Sequence, residues 1–135
     1  MKVFLGGTCN GSNWREKLIP NLEIDYFNPI VSNWDKKAQL NEIKEKNNAD
    51  FLLFVITPLM TGVYSIAEVV DASNKKPEKT ILCILEDDGK KWTKSQRNSL
   101  SAVEDLVQSN GALVLNNLED IPTILNNNSK KDEDT

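Results

Sequence analysis

The amino-acid sequence predicts an α/β fold, in which one five-stranded parallel sheet carries helices on both faces. Short apolar runs alternate with longer amphipathic stretches along the 135 residues, a length typical of a single domain. The runs at 3–5 and 51–56 are continuously apolar, as in strands that are buried on both faces. Because crossovers between parallel strands are right-handed, the order 2-1-3-4-5 of a flavodoxin-like, doubly wound sheet is the simplest arrangement.

The first three elements follow from the residues that interrupt the apolar pattern. A strand over 1–6 stops at two glycines, and Ser12 caps a helix that Pro20 closes. A second strand covers 23–27 and ends before a proline, which cannot donate to a sheet ladder. The chain is therefore predicted to begin as strand, helix and strand.

A helix and the central strand are predicted next. Asp35 is a good N-cap for a helix over 36–48, in which Leu40 and Ile43 recur at helical spacing. The run 51–56 is the most apolar of the chain, so it is predicted to be a central strand. We therefore expect the helix to be amphipathic and to bury its apolar side.

The second half of the chain repeats the alternation of strand and helix. The predicted elements are a helix over 65–74, a strand over 79–85, a helix capped by Thr93 and reaching Gln108, a strand over 112–115 and a short helix over 118–125. The remaining stretch, 126–135, is polar and is expected to be a disordered tail. The predicted domain is therefore 1–125.

Composition argues against several classes of function. The chain has no histidine, which removes Ser-His-Asp and Cys-His activation of a nucleophile and the commonest metal ligand. A formal charge of -4 argues against polymeric nucleic acid as a partner, since that partner requires a clustered basic surface. No apolar run approaches the ~20 residues that span a bilayer, so we expect no membrane association. Any chemistry must rely on carboxylates.

The cysteines point to a reducing compartment. Cys9 and Cys83 lie far apart, and neither has a CxxC partner. We therefore expect reduced thiols, a cytoplasmic location, and neither a bound metal nor a cofactor.

The loop after the first strand is the first candidate for a binding site. In a sheet of this order, the ligand crevice lies at the carboxyl ends of the strands, where the first and third strands diverge. The loop is rich in small and polar groups that could cradle an anion or a ribose, although a plain tight turn explains it equally well. The predicted substrate-binding residues here are Gly6, Gly7, Thr8, Cys9 and Asn13.

The loop after the second strand adds an aromatic face. Trp34 could stack on a nucleobase, with Asn28 and Gln39 as further predicted substrate-binding residues. The alternative is that Trp34 packs as a hydrophobic staple at the start of the following helix.

The loop after the third strand leads to a carboxylate. Glu68 lies one turn into the predicted helix and faces the crevice if its apolar neighbours point into the core. Composition alone favours a solvated helix glutamate, because acidic residues are common near helix N-termini. The predicted substrate-binding residues of this loop are Thr57, Met60, Gly62 and Ser65.

Three segments together carry a family resemblance: MKVFLGGTCNGSNW, DYFNPIVSNWD and VITPLMTGVYSIAEVVDASN. They resemble the nucleoside 2-deoxyribosyltransferase-like proteins, over about 1–125. In that family a glutamate on the helix after such a loop attacks the anomeric carbon of a deoxynucleoside, and the resemblance implies this role for Glu68. A covalent glycosyl-enzyme divides one difficult displacement into two easier ones.

The chain departs from the family pattern at the acids. Gly62 stands six residues before Glu68, where the family has an aspartate that engages the base, and Gln39 or Glu42 stands for an aspartate of the preceding helix. Protonation of the base would then pass to Asp35 or Tyr64 as further catalytic candidates. The family also completes its site across subunits, so the resemblance implies a homo-oligomer.

The functional hypothesis is an enzyme of the N-glycosidic bond. It would transfer or hydrolyse the (deoxy)ribosyl group of a small-molecule nucleoside or nucleotide, with Glu68 as nucleophile. The alternative is a protein that binds a nucleotide or a nucleotide-derived signal without turnover, as a sensor or a sequestering protein. A structural domain without a ligand is the third possibility.

Overall fold

The computed structural model describes residues 1–9, 11–30 and 35–133. The strands are β1 (Lys2–Gly7), β2 (Asp25–Phe27), β3 (Phe51–Ile56), β4 (Thr80–Ile84) and β5 (Leu113–Leu115). They form one five-stranded sheet in the order β2-β1-β3-β4-β5. Every neighbouring pair is parallel, so the predicted doubly wound fold is confirmed.

The helices lie between the strands and after the last one. They are α1 (Trp14–Leu18), α2 (Lys36–Asn48), α3 (Tyr64–Lys75), α4 (Lys94–Ser109) and α5 (Asp120–Glu133). The 3-10 turn Ile19–Asn21 follows α1 directly and contains Pro20, and a second turn, Pro77–Lys79, precedes β4. The predicted capping of α4 is confirmed, since Thr93 and Gln96 form a reciprocal capping box.

The two faces of the sheet have separate apolar cores. On one face, α3 and α4 bury Val69 and Val107 over Phe54 of β3. On the other face, α1 and α5 bury Trp14 and Ile121. Both faces of the sheet are therefore covered, which explains the continuously apolar sequence of β3.

The end of α5 differs from the prediction. The sequence predicts a helix that ends at Leu125 and a disordered tail beyond it, whereas α5 continues to Glu133. The Asn126 side chain accepts a hydrogen bond from the Glu23 backbone N–H at 2.9 Å and donates to the Asn21 carbonyl at 3.1 Å. These bonds join the helix to the segment before β2, so the polar composition there reflects contacts with the chain as well as with solvent.

The orientation of α2 also differs from the prediction. Asp35 is the N-cap, as predicted, and its Oδ1 accepts from the Ala38 N–H at 2.8 Å. However, Leu40 and Ile43 are 58% and 45% exposed, and no residue of α2 is fully buried. The partly buried side of the helix consists instead of Ala38, Glu42, Glu45 and Lys46.

The polar side of α2 faces the rest of the molecule, where Lys46 pairs with Glu68 and Glu45 pairs with Lys2. Its apolar side is open to solvent. Among the residues described, no helix is both long enough and apolar enough to span a bilayer.

Candidate active site

A crevice of about 400 Å³ opens at the carboxyl ends of β1 and β3. This is the point at which the order of the strands reverses, and the volume lies within the range of small-molecule sites. Its walls come from the loops after β1 and β3, the first turns of α3 and the inward side of α2. The sequence-predicted residues that line it are Gly6, Gly7, Thr8, Cys9, Met60, Gly62, Tyr64, Ser65 and Glu68.

Four other predicted residues do not line the crevice. Asp35 is exposed and caps α2, and Gln39 is exposed on the same helix. The Asn28 Oδ1 accepts from the Ile30 N–H at 3.1 Å, which closes a turn. Thr57 is fully buried below the crevice.

Asn13, a further predicted residue, does not line the crevice either. Asn13 is the N-cap residue of α1 without a side-chain capping bond, and it lines a neighbouring concavity with Asp87 and Asp88. Trp34 lies outside the described residues.

The two glycines at the end of β1 are required by close packing on β3. A Cβ on Gly7 would lie 2.7 Å from the Val55 backbone nitrogen, and the φ of Gly7 is +120°. A Cβ on Gly6 would lie 2.7 Å from the Phe54 ring. Since side chains cannot fit at either position, the glycines are explained by the approach of β1 to β3.

Thr8 fixes the first loop beside the crevice. Its N–H donates to the Val55 carbonyl at 2.9 Å, and its Oγ1 accepts from the Thr57 N–H at 3.0 Å. Its carbonyl accepts from Trp14 Nε1 at 2.9 Å and from Arg15 Nη1 at 2.8 Å. The loop is therefore held from both β3 and α1.

Arg15 is a crevice residue that the sequence does not indicate. It is 3% exposed, and its Nε and Nη2 donate to the Leu5 carbonyl at 3.1 and 2.9 Å. Burial lowers the pKa of its guanidinium, and the neighbouring Cys9 and Glu42 oppose this. An arginine in a short helix normally predicts a solvated side chain, and only the fold places this one beneath the loop.

Glu68 is held at the crevice by an ion pair. Its side chain is 10% exposed, and its Oε2 lies 2.8 Å from Nζ of Lys46, whose side chain is 25% exposed. Tyr64 and Ser65 lie one helical turn earlier on the same side of α3 and also line the crevice. The Glu68 carboxylate is therefore largely shielded from solvent.

Lys46 provides the positive charge on this carboxylate. Burial lowers the pKa of its ammonium, but the hydrogen bond to Glu68 and the charge of that carboxylate outweigh burial, so the net pKa is raised. Its Nζ also lies 5.9 Å from the centroid of the Phe4 ring. Lys46 is therefore a cation throughout the physiological pH range.

Glu42 brings a second carboxyl group into the crevice. Its pKa is raised, first by burial and then by the negative charge of Glu68, while Lys46 and Arg15 oppose the shift. The sequence leaves Gln39 and Glu42 open as the helix residue that corresponds to the family's aspartate. Of the two, only Glu42 lines the crevice.

The arrangement pairs two carboxyl groups in different surroundings. Glu68 is bonded to an ammonium, whereas burial and its neighbour favour the protonated form of Glu42. Such a difference allows one group to act as a nucleophile and the other as an acid. Within the described ranges, no cluster of three or more side chains could hold a metal ion.

Fold and crevice together define the class of the protein. A doubly wound parallel sheet with a crevice at its switch point is the architecture of α/β proteins that take a small ligand at the strand ends. The crevice carries two carboxyl groups, and the sequence has no histidine to assist them.

The family follows from comparison with known proteins. The family model described as "Nucleoside 2-deoxyribosyltransferase like" matches residues 1–87, which is more than half of the 135 residues. The chain therefore belongs to the nucleoside 2-deoxyribosyltransferase-like family, as its sequence predicts. The family is associated with glycosyl transfer on nucleosides. No curated protein matches the chain.

The matched range contains the charged residues that line the crevice among those described, together with Lys46, which pairs with one of them. Glu42, Lys46 and Glu68 all lie within it, as does Arg15. The match ends before α4.

Proposed function

We propose that this protein cleaves the N-glycosidic bond of a nucleoside or nucleotide and passes the (deoxy)ribosyl group to an acceptor or to water, with Glu68 as the nucleophile. The observation that carries the proposal is the position of Glu68. Its carboxylate lines the crevice at the switch point, is 10% exposed and is oriented by Lys46. A carboxylate so placed can attack an anomeric carbon that lies in the crevice.

The reaction has two steps. In the first, an oxygen of Glu68 attacks the anomeric carbon as the bond to the base breaks, and the departing base accepts a proton. In the second, an acceptor base or water attacks the same carbon, and the Glu68 carboxylate is regenerated. The negative charge of Glu68 stabilises the oxocarbenium-like transition state of each step.

Glu42 is proposed as the acid that protonates the base. It lines the same crevice, and its raised pKa favours the protonated form that an acid needs. Asp35, the first candidate from the sequence, caps α2 and does not line the crevice. Tyr64 lines the crevice but is 71% exposed, so it is the second choice.

Apolar residues of the crevice would receive the base. Phe4, Ile30, Ile56 and Met60 contribute to its lining and offer surface on which a planar ring can pack. Ile30 is 47% exposed at present, so a bound base would cover it. Trp34, four residues further along the chain, stays a predicted stacking residue.

A homo-oligomer is proposed as the working form. The apolar side of α2 carries Leu40 and Ile43, both exposed, next to the helix side that supplies Glu42 and Lys46. A second copy that covers this face would bury both side chains and press α2 towards the crevice. We also propose the cytoplasm as the location, where nucleotides are abundant and free thiols such as Cys9 stay reduced.

Binding without turnover is the competing function. Gly62 occupies the place of the family's base-engaging aspartate, and a Cβ there would meet no heavy atom within 4 Å. The crevice thus lacks the acid that engages the base in the family, and the space at Gly62 is open. This observation favours a protein that binds a nucleotide or a nucleotide-derived signal as a sensor or sequestering protein.

The experiment that separates the two functions measures base release. The protein is incubated with 2′-deoxynucleosides, ribonucleosides and their 5′-monophosphates, with and without an acceptor base, and free base is followed by chromatography. Release that requires Glu68 supports the enzyme. Saturable binding by calorimetry with no base released would support the binding protein instead.

Gly62→Asp offers a matched gain-of-function variant. The open space at this position accepts a side chain, so the fold should not change. We expect faster base release than in the unaltered protein, because the added carboxyl group can engage the base. Gly62→Asn is the matched control, because it adds a side chain of similar size at the same open position without a carboxyl group.

A further inference from the structure

We propose that Lys46 is a positioning residue whose ammonium is the common counter-ion of the two crevice carboxyl groups, Glu42 and Glu68, so that the site keeps the same net charge through the reaction. This inference rests on the function proposed above and adds a residue that acts through those two groups.

Lys46 pairs with one of the two acids and lies one helical turn from the other. Lys46 Nζ is 2.8 Å from Oε2 of Glu68, across the boundary between α2 and α3. Glu42 lies four residues earlier on α2, on the same side of that helix. Lys46 itself does not line the crevice, whereas both acids do. It therefore acts on a substrate only through them.

The charges balance if Lys46 serves both acids in turn. In the proposed cycle, Glu68 starts as the partner of Lys46, and Glu42 starts with the proton that burial and the charge of Glu68 favour. When Glu68 forms the glycosyl ester and the base leaves, the Glu68 oxygen becomes neutral and the proton of Glu42 moves to the base. Glu42 is then the anion, and Lys46 has a new partner one helical turn away. The site holds one anion and one cation at both stages.

The second step reverses this exchange. An acceptor N–H or a water O–H loses its proton to Glu42 as its nitrogen or oxygen bonds to the anomeric carbon, and the ester bond to Glu68 breaks. Glu68 regains its negative charge and Lys46. No charge is left unpaired in the half-buried site, where an isolated charge is costly.

In the described part of the chain, the charged groups that act on these side chains fit this arrangement. Glu42 of α2 faces Glu68 of α3, Lys46 of its own helix and Arg15 of α1. Lys46 faces Glu68, Glu42 and the Tyr64 hydroxyl. Glu68 raises the pKa of Glu42, whereas Lys46 and Arg15 lower it. Glu68 and Lys46 therefore shift the pKa of Glu42 in opposite directions.

Opposite signs provide a test that does not depend on turnover. The titration of Glu42 is followed by NMR of its side-chain carboxyl carbon, and Glu42→Gln identifies the signal by its loss. Glu68→Gln should lower the pKa of Glu42, because the neighbouring negative charge is removed. Lys46→Met should raise the pKa of Glu42, because a nearby cation is removed.

Two controls separate charge from structure. Lys46→Arg keeps the cation and should leave the titration of Glu42 close to that of the unaltered protein. Lys75→Met removes a lysine that pairs with Asp71 of α3 on an exposed surface. This variant should leave the titration of Glu42 unchanged. Circular dichroism of each variant confirms that it is folded.

If the unaltered protein releases base, kinetics provide a second readout. Lys46→Met should then lower kcat about tenfold and move the alkaline limb of its pH profile to higher pH, while Lys46→Arg restores both. A fall in kcat with the alkaline limb unmoved would overturn the inference.

The outcomes distinguish this inference from the proposed function. If Glu68→Gln and Lys46→Met shift the titration of Glu42 in the same direction, or not at all, Lys46 is not a shared counter-ion, whether or not base is released. If the shifts are opposite and no base is released by any variant, the electrostatic coupling stands and the proposed reaction fails.

Discussion

The two helices that border the crevice differ in how they are attached to the rest of the molecule. α3 buries Val69, Ala72 and Ser73 and packs against α4 and the sheet. α2 buries none of its residues and leaves Leu40 and Ile43 open to solvent. Because they are packed so differently, the two helices are expected to have different roles in the proposed site.

Glu68 sits on the firmly packed helix, while Glu42 and Lys46 sit on the weakly packed one. A nucleophile has to be held in one place, and α3 provides that through its buried side. The acid and the counter-ion have to exchange roles, and they share a helix whose inward side is charged. On one side of the crevice, α3 is fixed by its buried residues. On the other side, α2 is held mainly by two ion pairs, Lys46 with Glu68 and Glu45 with Lys2.

The largest effect is expected from removing Glu68, the proposed nucleophile on α3. Glu68→Ala should reduce base release by at least about a thousandfold, because it removes the group proposed to bond to the anomeric carbon. Ligand affinity and melting temperature should change little. Asp71→Ala is the control, since this acid of α3 pairs with Lys75 on an exposed surface. Comparable rates for Glu68→Ala and the control would exclude Glu68 as nucleophile.

A smaller loss is expected from the acid on α2. Glu42→Gln should slow base release by about a hundredfold, the usual contribution of a general acid. The pKa of Glu42 is raised by burial and by Glu68, so the proton is retained to a higher pH than in an ordinary glutamate. Activity of the unaltered protein should therefore fall only as the pH rises past that raised pKa.

The pH profile identifies the acid. The alkaline limb should disappear in Glu42→Gln, and it should persist in Asp35→Asn, because Asp35 lies at the N-cap of α2 outside the crevice. If the limb disappears in Asp35→Asn and persists in Glu42→Gln, the roles assigned to the two acids are reversed.

Fold and site were accessible from the sequence to different extents. The strands could be predicted because a parallel strand that is covered on both faces carries a continuous apolar run, as Phe51–Ile56 does. The order of the strands then followed from general rules of connection. The orientation of α2 could not be predicted, because the spacing of Leu40 and Ile43 indicates the wrong buried side.

The candidate site depends on contacts that no local pattern encodes. Glu68 was indicated by a family resemblance, but its ion pair joins residues 22 positions apart on two helices. Arg15 lies under the first loop only because α1 folds back beneath β1. Asn28 and Thr57 have the chemistry of ligand-binding residues, and the fold uses their side chains in turns.

The contrast in packing predicts different costs of truncation on the two helices. Val69→Ala should lower the free energy of unfolding by about 2 kcal/mol, because it leaves a cavity in a fully buried position. Ile43→Ala should change it by less than about 0.5 kcal/mol in the monomer, because its side chain is solvated. Urea denaturation at low protein concentration measures both. Equal costs would contradict the difference between the helices.

The same exposed residue tests the proposed oligomer. If a second copy covers the apolar side of α2, Ile43→Glu should shift the sedimentation profile towards monomer, with Leu106→Glu on exposed α4 surface as the matched control. A profile unchanged by Ile43→Glu would exclude this face as the interface.

The smallest effect is expected at the thiols. Cys9 is exposed at the edge of the crevice, whereas Cys83 is buried and burial raises the pKa of its thiol to about 12. A thiol reagent should therefore label Cys9 first, and the bulky adduct should weaken nucleotide binding several-fold. Mass spectrometry of peptides locates the label. Normal binding by protein labelled at Cys9 would exclude contact between this residue and the ligand.

The central claim is that Glu68 forms a covalent bond to the sugar. A 2′-fluoro-2′-deoxynucleoside carries an electronegative group that slows both steps, and mixing it with the protein should allow a glycosyl-enzyme to accumulate. The account predicts a protein heavier by the mass of the fluorinated sugar residue, with the modification on the peptide that contains Glu68, and no such adduct in Glu68→Gln. Base release without an adduct, or an adduct on another residue, would contradict it.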